Sequence, residues 1–339
     1  MNTELEGTNP APMLELREAS KRFVKPIDFA GKLAKLFGAN VNDQVTHAVD
    51  KVTLTLQAGE ILGLVGESGC GKSTLGRMAA GLHELSAGSR WWKQQNIAAM
   101  REQERNKTRL AIQMIFQDPY ASLNPRMRVL DIIGEAPVVH ELVAAKDQSD
   151  YVCELLQRVG LDASMQKRFP HQFSGGQRAR VGIARALAVK PELLVCDEAI
   201  AALDVSIQAQ VLNLFIQLRE QLGLTYLFIS HDLGVVRHLA DRVVIMYLGR
   251  VVETAAVQDI FQRANHPYTQ ALLSSAPTLE VRKTQFLAIK GEIPSPLNPP
   301  TGCHFHPRCP HAMPRCTSEV PELREVAAKH FSACHLNAN

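Results

Sequence analysis

The chain has 339 residues, of which 46% are hydrophobic and 21% charged, with a formal net charge of +3. This suits one or two packed globular domains and excludes a disordered chain. It also gives no electrostatic argument for nucleic acid or an anionic membrane surface as partner. The N-terminal stretch MNTELEGTNPAPM lacks the basic and apolar regions of a signal peptide, and no apolar run approaches the ~18–20 residues that span a bilayer. A cytosolic protein is therefore expected, with any membrane role arising through a partner.

In chain order, MLELREASKRFV and HAVDKVTLTLQAGEILGLVG alternate apolar and polar residues as half-buried strands do. Between them lies a loop-like insertion, roughly 25–44. Its short amphipathic segment, Phe29, Leu33, Leu36 and Phe37, suits a helix lying on the parent domain or docking on a partner. From 75 to 192 helical patterning dominates, broken by the strand-like LAIQMIFQ (110–117) and the loop DPYASLNPRM. A strand (193–197), a helix (about 206–222) and a strand (224–230) then follow, with another helix and the strand RVVIMYLG. That alternation predicts an α/β fold with a parallel sheet and crossover helices. Beyond about 263 the texture changes: IPSPLNPPTGCHFHPRCPHAMPRC is rich in Pro, Cys and His and reads as a separate appendage.

GESGCGKST, residues 66–74, fits G-x-x-x-x-G-K-S/T between a strand (Ile61–Val65) and a helical run (Leu75–Leu82). Backbone N–H groups in such a loop surround phosphate oxygens, a lysine reaches the β/γ-phosphates and a hydroxyl meets Mg²⁺. Candidate nucleotide-binding residues are thus Gly66, Glu67, Ser68, Gly69, Cys70, Gly71, Lys72, Ser73 and Thr74. Further along, LLVCDEAIAALD ends an apolar run in two adjacent carboxylates, whose burial without a partner costs several kcal/mol, on the order of a lost ion pair. Parallel strands share one edge at their C-terminal ends, where ligands bind. Asp197 is therefore placed to hold Mg²⁺, and Glu198 to orient or deprotonate an attacking water. The strand ending FISHD delivers His231 to the same edge, where it can contact the γ-phosphate.

FSGGQRARVGIARALAV (173–189) supplies a second anion site. Ser174 caps a helix whose first turn carries Gly175 and Gly176, so free N–H donors and the helix dipole face outward. A second anion site on a chain with a complete phosphate loop makes sense if two chains face head to tail, each closing over nucleotide held by the other.

Together these stretches resemble an ATP-binding-cassette (ABC) subunit: the phosphate loop at 66–74, the signature SGGQ (Ser174, Gly175, Gly176, Gln177) and LLVCDE at 193–198. The resemblance implies a RecA-like core with an antiparallel β subdomain and a helical subdomain at about 118–185, with ATP and Mg²⁺ as ligands. It implies that Gln117 in MIFQDP senses the γ-phosphate and Mg²⁺, that Asp204 in ALD crosses a dimer interface, that His231 is a switch residue and that Phe23 stacks on adenine. The tail, NHPYTQALLSSAP followed by GEIPSPLNPPTGCHFHPRCP, is similar to the C-terminal extension of oligopeptide/dipeptide importer ATPases, especially the second of each pair. The implied division is a cassette at 12–262 and an extension at 263–339. The implied assembly comprises two integral-membrane permeases, a paralogous ATPase and, indirectly, an extracytoplasmic peptide-binding protein, without nucleic acid. The chain would sit peripherally on the cytoplasmic face of the inner membrane and power peptide import.

Of seven cysteines, Cys70, Cys153 and Cys196 are scattered, while Cys303-x₅-Cys309-x₆-Cys316-x₁₇-Cys334 crowd the tail. Four thiolates suit a 4Fe–4S cluster or tetrahedral Zn²⁺, and the wide spacing disfavours zinc. The family resemblance implies the cluster; free thiols are the remaining alternative. His304, His306, His311 and His335 lie nearby as possible zinc ligands.

The sequence departs from the family where Pro usually follows the catalytic Glu and Ser precedes ALD: here Ala199 and Ala201 stand. Losing Pro should loosen the turn without deleting the chemistry, so hydrolysis is expected to survive at a reduced rate. Two rival readings are a soluble cassette ATPase of translation or DNA repair, and a nucleotide-binding subunit that does not hydrolyse. Among importers, nickel or other peptide-like solutes are alternative cargoes.

Overall fold

The computed structural model describes residues 11–27, 43–275 and 291–337. The amphipathic segment Phe29–Phe37 lies outside the described residues. Two sheets organise the chain. An antiparallel sheet has the order β2-β1-β4-β5, from β1 (Leu14–Lys25), β2 (Gln44–Leu56), β4 (Ala87–Trp92) and β5 (Gln95–Asn96). The larger sheet has eight strands, in the order β11-β12-β10-β9-β3-β8-β7-β6. Its members are β3 (Ile61–Val65), β6 (Ile112–Ile115), β7 (Leu193–Asp197), β8 (Thr225–Ser230), β9 (Arg242–Tyr247), β10 (Arg250–Ala256), β11 (Arg324–Ala327) and β12 (His330–Ser332).

From β6 through β7, β8 and β3 to β9 every pairing is parallel. The strands β3, β7 and β8 are buried throughout, which is why they read as continuous apolar runs. Side chains alternate between two cores. Ile61, Val65, Leu194, Cys196, Tyr226 and Phe228 face one, and Leu62, Leu64, Leu193, Val195, Leu227 and Ile229 face the other. The second core also takes Leu75 and Met78 of α1 (Lys72–Ala80) and the apolar side of the antiparallel sheet.

Helix α2 (Glu102–Ala111) runs into β6. After it come α3 (Pro119–Ser122), α4 (Val129–Val139), α5 (Gln148–Arg158) and α6 (Gly175–Leu187). Apolar residues such as Ile133, Val152, Leu156 and Ile183 join this helical group to the first core. Helices α7 (Val205–Leu222) and α8 (Leu233–Leu239) are the crossovers after β7 and β8. The strand-like reading of 110–117 contracts to four residues, because α2 extends to Ala111.

Two findings differ from the sequence reading. Residues 87–96, within the stretch read as helical, form the hairpin of β4 and β5: β4 pairs with β1, setting Trp92 opposite Leu14 and Trp91 opposite Glu15. Trp92 is buried and Arg17 lies 4.0 Å above the Trp91 ring, so pairing with a strand some 70 residues earlier overrides local pattern. The tail is also not a separate appendage. After α9 (Val257–Arg263) and α10 (Pro267–Ser275), and beyond α11 (Pro314–Ser318), β12 pairs with β10 and extends the main sheet. Buried Glu253 clamps that junction. It accepts N–H bonds from Asn265 (2.7 Å) and His266 (3.0 Å) and contacts His330 Nε2 at 2.6 Å. Without β12 the β10 edge would be open to other strands.

Candidate nucleotide site at the sheet edge

The parallel strands end at one edge, and the strand order decides which loops meet there. The loop after β3 carries residues 66–71, β8 next to it leads to His231, β7 to Asp197 and Glu198, and β6 to Gln117. Gly71, with φ 103°, precedes α1; a Cβ on it would lie 2.1 Å from the Ala48 carbonyl oxygen. Only glycine fits that position. Cys70 points its thiol inward, buried, and burial pushes that thiol up. It therefore contributes backbone to the loop's outer face, while Ser68 and Gly69 are exposed.

Lys72 is buried and donates from Nζ to the carbonyls of Gly66 (2.8 Å) and Glu67 (3.0 Å). Ser73 donates its hydroxyl to Asp197 Oδ1 at 2.7 Å. Burial raises the Asp197 carboxyl above its usual range, opposed chiefly by the Ser73 hydrogen bond and the Arg77 charge. Glu198 Oε2 accepts from Gln117 Nε2 at 2.9 Å and lies 3.4 Å from His231 Nδ1. Glu198 has φ 46°, a left-handed conformation that is uncommon outside glycine. Its N–H donates to Ile229 O (3.1 Å) and its carbonyl accepts from Ala201 N–H (3.0 Å). These bonds close the turn where Ala199, buried at 4% exposure, replaces the proline. Four elements thus bring Lys72, Ser73, Asp197, Glu198, Gln117 and His231 together.

Other candidates stand apart. Ser174 caps α6: its hydroxyl accepts from Gln177 N–H (3.3 Å), and its own N–H donates to Gln177 Oε1 (3.0 Å). Among the described residues no hydrogen bond or ion pair links Ser174, Gly175, Gly176 or Gln177 to residues 66–74. Asp204 precedes α7 and is exposed. Phe23, 39% exposed, packs edge-on against His83 at 5.6 Å. Two residues that sequence reasoning gave no role do reach the loop. Tyr268 Oη accepts the Glu67 N–H (2.9 Å), and Arg308 donates two bonds to the Glu67 carboxylate (2.7 and 3.0 Å). No periodicity could have found them, since 201 and 241 residues of chain separate the partners.

In the tail, Cys303, Cys309, Cys316 and Cys334 line one small cavity with His266 and Phe305. Burial pushes the Cys303 thiol up to about 11, with the other three thiols adding to the effect. Among the described residues, however, no three or more His, Cys, Asp or Glu side chains are grouped to hold a metal ion. His304 Nδ1 bonds Leu248 O (2.8 Å), His306 Nδ1 bonds Cys303 O (2.9 Å) and His335 Nε2 bonds Glu319 O (3.0 Å). Each therefore commits one ring nitrogen to the backbone.

Sequence comparison matches residues 49–201 to the ABC transporter family and 252–316 to the oligopeptide/dipeptide transporter C-terminal region. The oligopeptide transport ATP-binding protein AppF of Bacillus subtilis is 50% identical, covering 98% of this chain and 99% of its own. The dipeptide transport ATP-binding protein DppF of Haemophilus influenzae is 44% identical, covering 88% of this chain and 91% of its own. A dimeric post-hydrolysis structure of the ATP-binding cassette MJ0796 bound to ADP and Pi superposes with a TM-score of 0.61. It is 25% identical and covers 72% of this chain and 99% of its own. With its sheet edge, phosphate loop and tail all accounted for, the chain belongs to this family, as an ATP-hydrolysing cassette of the oligopeptide/dipeptide ABC transporters.

Proposed function

We propose that this chain drives import of di- or oligopeptides across the inner membrane by hydrolysing ATP at the edge formed by β3, β6, β7 and β8. The observation that carries the catalytic reading is the convergence of Gln117 and His231 on Glu198 Oε2, beside the Ser73–Asp197 pair. Glu198 is the general base, taking the proton of the attacking water at a carboxylate oxygen. His231 and Gln117 hold that carboxylate in place. Lys72 leaves the Gly66 and Glu67 carbonyls to bind phosphate oxygens, and residues 66–74 supply further donors. Ser73, Asp197 and Gln117 offer only oxygen donors, which fits Mg²⁺. When bound there, Mg²⁺ would neutralise phosphate charge.

The exposed N-terminus of α6 supports a two-cassette arrangement. Ser174, Gly175, Gly176 and Gln177 cap a nucleotide held by a paralogous ATPase, Asp204 crosses the interface, and Phe23 stacks on adenine. We assign the cassette to 12–262, its helical subdomain to about 118–185 and the extension to 263–339. Among the described residues no helix is long and apolar enough to cross a membrane, so association with the cytoplasmic face runs through two permeases. A groove of about 910 Å³, lined by Leu82, Phe116, Met127, Ile132 and Val139, is the surface we assign to them. An extracytoplasmic peptide-binding protein would deliver cargo. The four tail cysteines would hold a 4Fe–4S cluster, whose ligands surround a body larger than one ion.

Two measurements test this reading. Reconstitution with two permeases, a partner cassette and a peptide-binding protein of this transporter family should give ATP-dependent peptide uptake; ATP turnover without peptide uptake would overturn the cargo assignment. Anaerobically purified protein should contain about four iron atoms per chain, as a four-iron cluster requires. Iron at background level after reconstitution would remove the cluster.

A further inference from the structure

Glu67 lies at the centre of a contact set that the catalytic reading does not use. Its carbonyl accepts from Lys72 Nζ (3.0 Å), its N–H donates to Tyr268 Oη (2.9 Å), and its carboxylate receives two bonds from Arg308 (2.7 and 3.0 Å). Two of these anchors come from the tail. The Arg308 side chain is only 6% exposed, against 23% for Glu67. Arg308 lies 5.8 Å from the Tyr247 ring, which packs against Tyr268 at 4.8 Å and Phe305 at 5.2 Å. The guanidinium therefore cannot swing away without opening a buried aromatic cluster.

We infer that Arg308 is a positioning residue for nucleotide binding: from the C-terminal region it fixes the phosphate loop at Glu67 and neutralises a carboxylate that would otherwise face the triphosphate. Two physical effects lead there. A bidentate, charge-assisted pair holds the first peptide of the loop in one orientation, so less ordering is left for ATP to impose. In addition, Glu67 sits one residue from Gly66, whose carbonyl shares the Lys72 ammonium. An unpaired carboxylate there would compete with the phosphates for Lys72 and repel them. The chemistry at Glu198 is on other strands, so the effect falls on binding. The inference rests on reading residues 66–74 as the phosphate loop.

The electrostatic effect gives a test that simple loosening of the fold would not pass. In the full-length chain, assembled with its partner subunits, Arg308→Gln should raise KM for ATP about tenfold while kcat changes by less than about threefold. Arg308→Lys keeps the charge but loses the fork, and should raise KM only about threefold. The decisive arm is the double variant. Adding Glu67→Gln to Arg308→Gln should recover a large part of the lost affinity, because the unpaired carboxylate is gone. Rescue of KM with no gain in thermal stability supports the inference. A double variant as weak as Arg308→Gln or weaker, or a folded Arg308→Gln with KM within about twofold of wild type, overturns it. If Arg308→Gln does not fold, Arg308→Lys and Glu67→Gln decide: KM unchanged in both overturns the inference, and a raised KM in Arg308→Lys supports it. Lys72→Ala separates the premise from the inference. Loss of ATP binding in that variant upholds the phosphate loop whatever Arg308 does, whereas retained binding removes the loop assignment itself.

Discussion

The phosphate loop and the cysteine-lined cavity both look, in sequence, like short spaced motifs, but they are held in opposite ways. Residues 66–74 are contiguous, with 66–71 between a fully buried strand and the helix that 72–74 begin, so the loop's shape follows from its two ends and its glycines. The four cysteines lie on separate segments between 303 and 334, Cys316 on α11 and the other three in loops. They meet only because Cys303 N–H donates to Cys316 O (2.9 Å), β12 joins β10, and Glu253 ties His330 to the turn before α10. Local geometry builds the first site and tertiary contact builds the second. The link between them, Arg308 on Glu67, makes the locally built site depend in part on the other.

The largest test of that contrast is at the catalytic edge. Glu198→Gln should cut phosphate release by about 100-fold or more, the usual scale for losing a general base, while ATP binding persists. Equal loss of binding would show that Glu198 supports the loop rather than the chemistry. Next, Gly71→Ala should cost about 3 kcal/mol or more in denaturant unfolding, because it adds positive-φ strain to a clash with Ala48 O. Gly69→Ala is the control: φ is 79° there but nothing lies within 4 Å of the added Cβ, so only about 1 kcal/mol of backbone strain is expected. Equal costs at both glycines would mean that strain alone, and not the packed position of the loop, sets its shape.

For the tail, Glu253→Gln keeps an acceptor for only one of the two N–H groups, since Asn265 bonds Oε1 and His266 bonds Oε2, and weakens the buried contact with His330; it should cost about 2 kcal/mol or more. Faster labelling of the tail thiols should accompany that loss. Unchanged labelling would show that the cysteine cavity holds together without the sheet junction. The smallest effect is expected for Phe23→Ala. It should weaken ATP binding by about 1 kcal/mol, the scale of one ring stack, with thermal stability nearly unchanged because the ring is half-exposed.

Much of the edge was legible because its logic is periodic. LLVCD and TYLFIS read as buried strands since both faces of a parallel sheet are covered, and the carboxylates after the first had to meet a cation. Two regions were misread. Trp91 and Trp92 follow a helical run, and only pairing with β1 makes them strand; Pro and Cys in the tail mask the short β12. The contact of Arg308 with Glu67 was hidden for a different reason: both residues stood in quoted motifs, but 241 residues of chain separate them and nothing in either motif pairs them.

By itself, then, the sequence determined the parallel core, the phosphate loop and the family, because these depend on periodicity, on glycine geometry and on residues spaced within a few turns. Only the tertiary structure decided that Gln117 and His231 meet on one oxygen of Glu198, that the tail completes the main sheet, and that Arg308 grips the phosphate loop. Those contacts join residues dozens to hundreds of positions apart, and no local pattern records which strand lies beside which.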